Sequence, residues 1–266
     1  MSATPIVSHV LFDFSDGVAT ITLNRPEKLN AINPQVDEEL RSAFEKAIST
    51  PDCRVIVLTG AGRGFCSGAE RGDLNGTTGQ PAWQAVPESL AHFRFNYLLE
   101  SPIPVIAALN GAAIGVGLVI ACYCDIRLSI ERAKLSFPYT KLGLIAEYGI
   151  AKQLPNLIGR ARATELLLTG REFSAEQAMD MGLIAEVYKV EEFPDRVLQF
   201  AKVLAQQCAP LSLRAIKRQL FQSETEDLLG SIQTAGVEIG LIRESDDYRE
   251  ALNARKEKRA PVFTGR

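Results

Sequence analysis

Gly64-Phe65-Cys66-Ser67-Gly68-Ala69 and Asn110-Gly111-Ala112-Ala113-Ile114-Gly115-Val116-Gly117 are the two stretches on which the fold of this 266-residue chain turns. Each follows an apolar run of strand length, Arg54 to Thr59 and Val105 to Leu109, and each leads into a stretch of helical pattern. Neither carries an obvious nucleophile or metal ligand. What such turns supply is main-chain N–H, because the first four amides of a helix lack intrahelical partners and the aligned peptide dipoles favour negative charge there. Two such ends meeting at one point would stabilise an oxyanion.

Outward from these turns, Val10 to Phe14 and Val18 to Leu23 alternate around Asp16-Gly17, the signature of a β-hairpin. Asn33-Pro34 then opens a helix, with Val36, Leu40, Ala43, Phe44 and Ala47 at helical spacing. The continuous apolar runs read as strands buried on both faces. Arg71 to Pro87, rich in Gly, Thr, Gln and Pro, reads as a loop and a candidate lid, and Pro87 to Glu100 as a helix bearing Leu90, Phe93, Tyr97 and Leu98. Short strands are expected at Asp125 to Ile130, Lys134 to Phe137 and Ile184 to Val190. Helices are expected at Tyr148 to Ile158, Arg160 to Leu168 and Ala175 to Met181. Beyond Glu191 the pattern is helical throughout: Phe193 to Gln207, Leu211 to Phe221, Glu224 to Ile242 and Asp246 to Lys258. Several strand pairs precede each helix, which favours repeated β-β-α units over a simple doubly wound sheet. The expected organisation is a core over residues 1–205 and a helical region over 206–266.

Composition narrows the function. With 46% apolar residues the chain can bury a sizeable core, and 29 basic against 32 acidic residues leave a net charge of −3. That balance offers no basic field for nucleic acid. The five cysteines, at 53, 66, 122, 124 and 208, match neither a disulfide framework nor a zinc site, which fits a reducing cytoplasm. Met1 to Pro5 shows no secretory or transit pattern. Ser101 to Cys124 carries no charge and is long enough to span a bilayer, but Asn110-Gly111 breaks it in the middle; a strand, a turn and a buried helix explain it, and no membrane partner is expected.

Familiar catalytic devices are missing. The two histidines, His9 and His92, lie far in sequence from either glycine turn, so Cys66 and Ser67 have no neighbouring base and Ser67 lacks the G-x-S-x-G elbow. No carboxylate–histidine cluster suggests a metal. Thr59-Gly60-Ala61-Gly62-Arg63-Gly64 approaches a dinucleotide-binding turn, but its third glycine arrives one residue early.

Four separated motifs nevertheless stand in a known order. Arg25-Pro26-Glu27-Lys28-Leu29-Asn30-Ala31-Ile32, the two glycine turns, and Leu168-Thr169-Gly170 with Ala178-Met179-Asp180-Met181-Gly182-Leu183-Ile184 resemble the enoyl-CoA hydratase/isomerase (crotonase) superfamily over nearly the whole chain. The resemblance implies an α/β crotonase-like spiral of β-β-α turns with a C-terminal helical trimerisation region, assembled as a homotrimer or hexamer. It implies an acyl-CoA thioester as substrate, with coenzyme A entering only as part of it and no other cofactor. The thioester oxygen would be held by the N–H groups of Ala69 and Val116, flanked by Gly68 and Gly115.

Where hydratases of that family carry two glutamates, this chain has Val119 and Tyr139. Valine exchanges no proton and tyrosine is a poor base, which argues against hydration by the two-glutamate route. One acid remains, Glu147, at a position that several isomerases of the superfamily use to move protons. Apolar neighbours such as Leu144 and Ile145 would raise its pKa and the following helix would lower it. Arg25, Leu29 and Ala31 resemble the segment that lines coenzyme A, while Phe263 and Lys258 would meet the coenzyme A of a neighbouring subunit. Trp83 and Phe93 are candidates for the acyl pocket, and Tyr139 for a hydrogen bond to substrate. The reading that follows is an enoyl-CoA isomerase. The alternatives are a hydratase using Glu147 alone and a non-catalytic acyl-CoA binder.

Overall fold

The computed structural model describes residues 8–70 and 89–266. Two sheets organise the core. The first strand pair, β1 (Val10–Ser15) and β2 (Val18–Leu23), is the expected antiparallel hairpin, turning at Asp16 and Gly17, both with positive φ. Helix α1 (Pro34–Ser49) starts as its sequence dictates: the Asn33 side chain caps the Val36 amide and Pro34 needs no partner at the first helical position. Its Val36, Leu40, Ala43, Phe44 and Ala47 are all buried, the stripe that period 3.6 requires.

Three β-β units then wind in sequence. β3 (Val55–Gly60) is followed by β4 (Gly64–Cys66) and, past the undescribed stretch, by short α2 (Asn96–Leu99); β5 (Val105–Leu109) is followed by β6 (Ala112–Ile114) and α3 (Val116–Tyr123). β7 (Ile126–Ile130) is followed by β8 (Lys134–Ser136), α4 (Ile150–Ile158) and α5 (Arg160–Thr169). β9 (Glu172–Ser174), α6 (Ala175–Asp180) and β10 (Glu186–Tyr188) close the spiral. The first strand of each unit joins one sheet, in the order β1-β2-β3-β5-β7-β10, and the second joins another, in the order β4-β6-β8-β9. Only β1/β2 and β8/β9 are antiparallel. This is the spiral of β-β-α turns that the motifs implied. Ser101 to Cys124 folds as β5, β6 and α3, and among the described residues no helix is long and apolar enough to cross a membrane.

The principal sheet has a second packed face. Helix α7 (Phe193–Gln207) lays Phe193, Val197, Ala201 and Ala205 against Val18, Val55, Val57, Ile106 and Leu128. It runs two residues past position 205, and the chain breaks at Cys208 before α8 (Pro210–Gln222), α9 (Leu228–Glu244) and α10 (Asp246–Glu257). Lys217 of α8 ties this tail to the core, its Nζ reaching Asp125 Oδ2 at 2.7 Å and the Ile103 carbonyl at 3.1 Å.

Two expectations need correction. Pro87 to Glu100 is no continuous helix over its described part: a 3-10 turn at Leu90–His92 and α2 are separated by extended backbone at Phe93, φ −68 and ψ 136. The near-dinucleotide turn after β3 leads into strand β4, not a helix, so no helix N-terminus is there to take a pyrophosphate. Arg71 to Pro87, the expected lid, and Trp83 within it lie outside the described residues.

Candidate active site

The three parallel strands of the smaller sheet end together, and their exits define the site. β4 pairs with β6 at Gly64↔Ala112 and Cys66↔Ala113, with one irregularity between, and β6 pairs with β8 at Ile114↔Ser136. Neighbouring strands lie about 4.8 Å apart, so the chains leave the sheet side by side. Ala69 stands three residues past Cys66, Val116 three past Ala113, and Tyr139 three past Ser136.

The first exit is held by the loop of residues 25–32. The Ile32 amide donates to the Gly68 carbonyl at 2.8 Å and the Glu70 amide donates to the Ile32 carbonyl at 2.9 Å, a parallel bridge that turns Ala69's own N–H away from Ile32. That N–H finds no acceptor among the described residues. At the second exit α3 begins at Val116, and the first of its amides to be bonded is that of Val119, to the Gly115 carbonyl at 3.0 Å. The Val116, Gly117 and Leu118 amides have no acceptor among the described residues.

Close backbone approach brings the exits together. A Cβ at Gly117 would lie 2.5 Å from the Cys66 carbonyl oxygen, and one at Gly68 would lie 3.1 Å from the Ile114 carbonyl oxygen. Gly68, at φ +104, and Gly115, at φ +53, also occupy backbone conformations that favour glycine. The first turn differs from expectation in one respect: Ala69 sits in a β-bridge, and any helix that follows it lies outside the described residues.

Asn30, within the Leu29 to Ala31 segment expected to line coenzyme A, is the keystone of this loop. It is 1% exposed; its Oδ1 accepts from the Arg25 amide at 2.9 Å, and its Nδ2 donates to the carbonyls of Ala61 and Gly64 at 2.9 and 2.8 Å. Leu29 and Asn30 are both left-handed, φ +49 and +57, a pair that only such local bonding sustains. Replacing Asn30 by Ala is expected to cost about 2–4 kcal/mol by leaving these buried groups unpaired, measured by chemical denaturation.

Arg25, expected to line coenzyme A, has partners within the protein. It is 8% exposed, with Nη1 3.0 Å from Glu70 Oε2 and 2.9 Å from the Ala31 carbonyl. It thereby ties Glu70, the residue after Ala69, to the loop of residues 25–32. Ala31 is buried and Leu29 half-buried, its carbonyl accepting from Ser67 N–H at 2.9 Å. Phe263 is buried, and its carbonyl accepts from Arg54 at 2.7 Å, beside the N-terminal end of β3; the glycine turns are at the other end. Lys258 is exposed at the C-terminal cap of α10.

The third exit carries Tyr139, whose ring is buried against Phe137 and whose hydroxyl is buried without a hydrogen-bond partner among the described residues. Burial, and then the Glu147 charge, push its pKa up. Glu147 is thus within electrostatic reach of the Tyr139 phenol. The Glu147 carboxyl is half-buried, and no hydrogen bond or ion pair to it is formed among the described residues. Burial raises its pKa and the nearby Arg94 charge opposes the rise. The cause differs from the one expected, because Ile145 is 79% exposed and Leu144 36%. Glu147 also precedes α4, whose cap is Gly149, so it is no first-turn acid.

The other candidates fall away. Val119 is fully buried. Cys66 is an inert core thiol, pushed up to about 12 by burial. His92 is exposed against Ser89, and His9 lies at the start of β1. Among the described residues no cluster of His, Cys, Asp or Glu could hold a metal ion. A cavity of about 550 Å³ opens on the opposite side of the principal sheet, between β2, β3, β5 and α7, and contains none of Ala69, Val116, Tyr139 or Glu147.

A two-sheet spiral of β-β-α turns whose second strands end side by side is the architecture of crotonase-type enzymes. The chain belongs to the enoyl-CoA hydratase/isomerase family, whose model matches residues 13–266. It is 38% identical to the 1,2-epoxyphenylacetyl-CoA isomerase of Escherichia coli (strain K12), covering 98% of both chains. It is 33% identical to the (E)-benzylidenesuccinyl-CoA hydratase of Thauera aromatica, covering 96% of this chain and 99% of that one. Among solved structures, the enoyl-CoA hydratase from Bacillus anthracis superposes with a TM-score of 0.88 at 32% identity, over 97% of this chain and all of that one.

Proposed function

We propose that this chain is an enoyl-CoA isomerase that moves a double bond between the β,γ and α,β positions of the acyl group. The Ala69 and Val116 amides would bind the thioester oxygen, and Glu147 would carry the proton. The carboxylate takes a proton from the α carbon; the released electrons pass into the thioester, giving a dienolate whose charge sits on the oxygen between the two amides. The γ carbon then takes the proton back, and the double bond forms between the α and β carbons. One acid suffices because the proton leaves and returns, and the step balances with coenzyme A present only as part of the substrate. Preorganised amides favour this route because they bind the enolate oxygen more strongly than the ground-state carbonyl.

The observation that supports the reading is the pair of acceptor-free amide groups at adjacent strand exits, with the unbonded Glu147 carboxyl in electrostatic reach of Tyr139 at the third exit. Purified protein given β,γ- and α,β-enoyl-CoA should show bond migration and little hydration. Dominant hydration would favour water activation by Glu147, the activity class named for the Thauera relative. Binding without turnover across a broad coenzyme A panel would favour a carrier.

We also propose a homotrimer or hexamer in the cytoplasm, where five free cysteines suit a reducing setting. Helix α9 buries none of its residues, and exposes Leu228, Leu229, Ile232, Val237 and Leu241 by 59–78%. Apolar exposure on this scale marks an association surface. Ile232→Glu combined with Val237→Glu should shift the protein to monomer in sedimentation velocity.

A further inference from the structure

We propose that Arg94 is a positioning residue for Glu147: anchored on Asp37 and bonded to the Tyr148 hydroxyl, it fixes the turn that presents the carboxylate and holds a positive charge beside it without bonding to it. The inference rests on the reading of Glu147 as the proton carrier.

Arg94 lies in the short connection between the Leu90–His92 turn and α2, and α1 holds it twice. Its Nε donates to Asp37 Oδ2 at 2.9 Å, while its carbonyl accepts from Arg41 Nη2 at 2.8 Å. Asp37 and Arg41 are four residues apart on α1, so one helical face supplies both contacts. The free arm of the fork, Nη1, donates to Tyr148 Oη at 3.0 Å, and the guanidinium lies over the rings of Phe95 and Tyr148, 5.2 and 5.6 Å from their centroids.

Tyr148 is the residue after Glu147, and its backbone is left-handed at φ +55, followed by Gly149 at φ +70. An aromatic side chain rarely adopts that conformation, so the surroundings must hold it there. Three contacts do so: Arg94 on its hydroxyl, Tyr123 O–H donating to its carbonyl, and Phe95 against its ring at 5.3 Å. The Glu147 carbonyl is also engaged, accepting from the Ile150 amide at 3.2 Å. With the turn pinned on both sides, the Glu147 side chain has a fixed point of departure.

The charge is placed with equal economy. Arg94 stands close enough to Glu147 to be felt but makes no ion pair with it. A direct bridge would occupy the lone pairs that must accept a proton and would make the carboxylate a weak base. With its fork on Asp37 and Tyr148, the same charge favours the ionised form of Glu147 against burial and leaves its oxygens free. The groups coupled to Glu147 among the described residues are Arg94, the Tyr148 phenol on its own turn and the Tyr139 phenol from the third strand exit; Cys122 and Tyr123 of α3 couple to Tyr139, and Asp37 of α1 pairs with Arg94.

Two substitutions of opposite sign test this. Arg94→Gln removes the positive charge but keeps amide donors for Asp37 and Tyr148. Asp37→Asn keeps Arg94 and removes its counter-charge. The titration of Glu147 is followed in the full-length protein by carbon-13 NMR of labelled glutamate, with Glu147→Gln identifying the signal. Arg94→Gln should raise the Glu147 midpoint and Asp37→Asn should lower it, each by about 0.5–1 pH unit. The acid limb of kcat/KM for bond migration should move with them, and Arg94→Lys should restore the parental midpoint. A merely structural part for Arg94 predicts shifts of one sign or none, and either result overturns the proposal. Should Arg94→Gln fail to fold, the downward shift in Asp37→Asn decides alone. If Glu147→Gln remains active while the two midpoints still move apart, the proton-carrier reading fails and the Arg94–Glu147 coupling stands.

Discussion

Replacing Glu147 by glutamine is expected to lower the rate of double-bond migration by about 10³–10⁴-fold while leaving the dissociation constant for acyl-CoA within about twofold. The side chain keeps its shape and loses only the ability to take up a proton. Because nothing among the described residues is bonded to this carboxyl, the change breaks no internal hydrogen bond. It should also reveal the strain of keeping an acid half-buried. Burial raises the folded-state pKa of Glu147 above its ordinary value, so the folded protein holds that proton more tightly than the unfolded chain, and stability falls as pH rises through the interval between the two values. Glu147→Gln should therefore be more stable than the parent at pH 7 and lose that advantage below about pH 4. Thermal unfolding at both pH values checks the sign, and stopped assays on β,γ-enoyl-CoA check the rate. Normal turnover by the variant would remove Glu147 from the mechanism.

Gly117→Ala should be nearly as damaging, for a wholly different reason. In a solvent-exposed helix the change would be favourable, because alanine orders the helix better than glycine. Here the new methyl would stand 2.5 Å from the Cys66 carbonyl oxygen and 2.7 Å from its Sγ, both in the fully buried strand β4. Neither backbone nor core side chain can yield without moving β4 away from α3. The two amides, on the exits of those elements, would separate. Loss of one donor of such a pair costs about 10²–10³ in rate, so a drop of at least that size is expected, with about 1–3 kcal/mol of destabilisation from overpacking. A variant that keeps full activity would show that the Ala69 and Val116 amides do not act as a pair. By contrast, Val116→Ala should retain most of the activity, since the proposed donor is main chain.

Much of this was legible in the sequence, and the gaps have physical causes. The long strands, the hairpin and α1 follow from alternation, from Asp16-Gly17 and from the Asn33-Pro34 start, all local signals. Of the second sheet only β8 was legible. Strands β4, β6 and β9 are three residues each, too short for periodicity to register, and β4 and β6 lie in stretches where glycine and alanine speak for turns. Their strand character comes from neighbours distant in the chain, Gly64 beside Ala112 and Ala113 beside Leu135. The site divides the same way. Ala69, Val116, Tyr139 and Glu147 were reached through motif resemblance, and the structure brings the first three to adjacent exits. The structural parts of Arg94 and Asn30 escaped notice because they depend on partners 54 and 34 residues away, Tyr148 and Gly64, which no local pattern announces. The internal partners of Arg25 were equally hidden: an arginine in a loop gives no sign that Glu70, 45 residues on, will pair with it.

Because the proposed donor amides belong to segments about 47 residues apart that meet across the β4–β6 ladder, refolding must settle long-range chain closures before the pair exists. Recovery of catalysis after dilution from denaturant should consequently lag behind the return of helical circular dichroism, and the interval between the two signals would time the zipping of a sheet built from three-residue rungs.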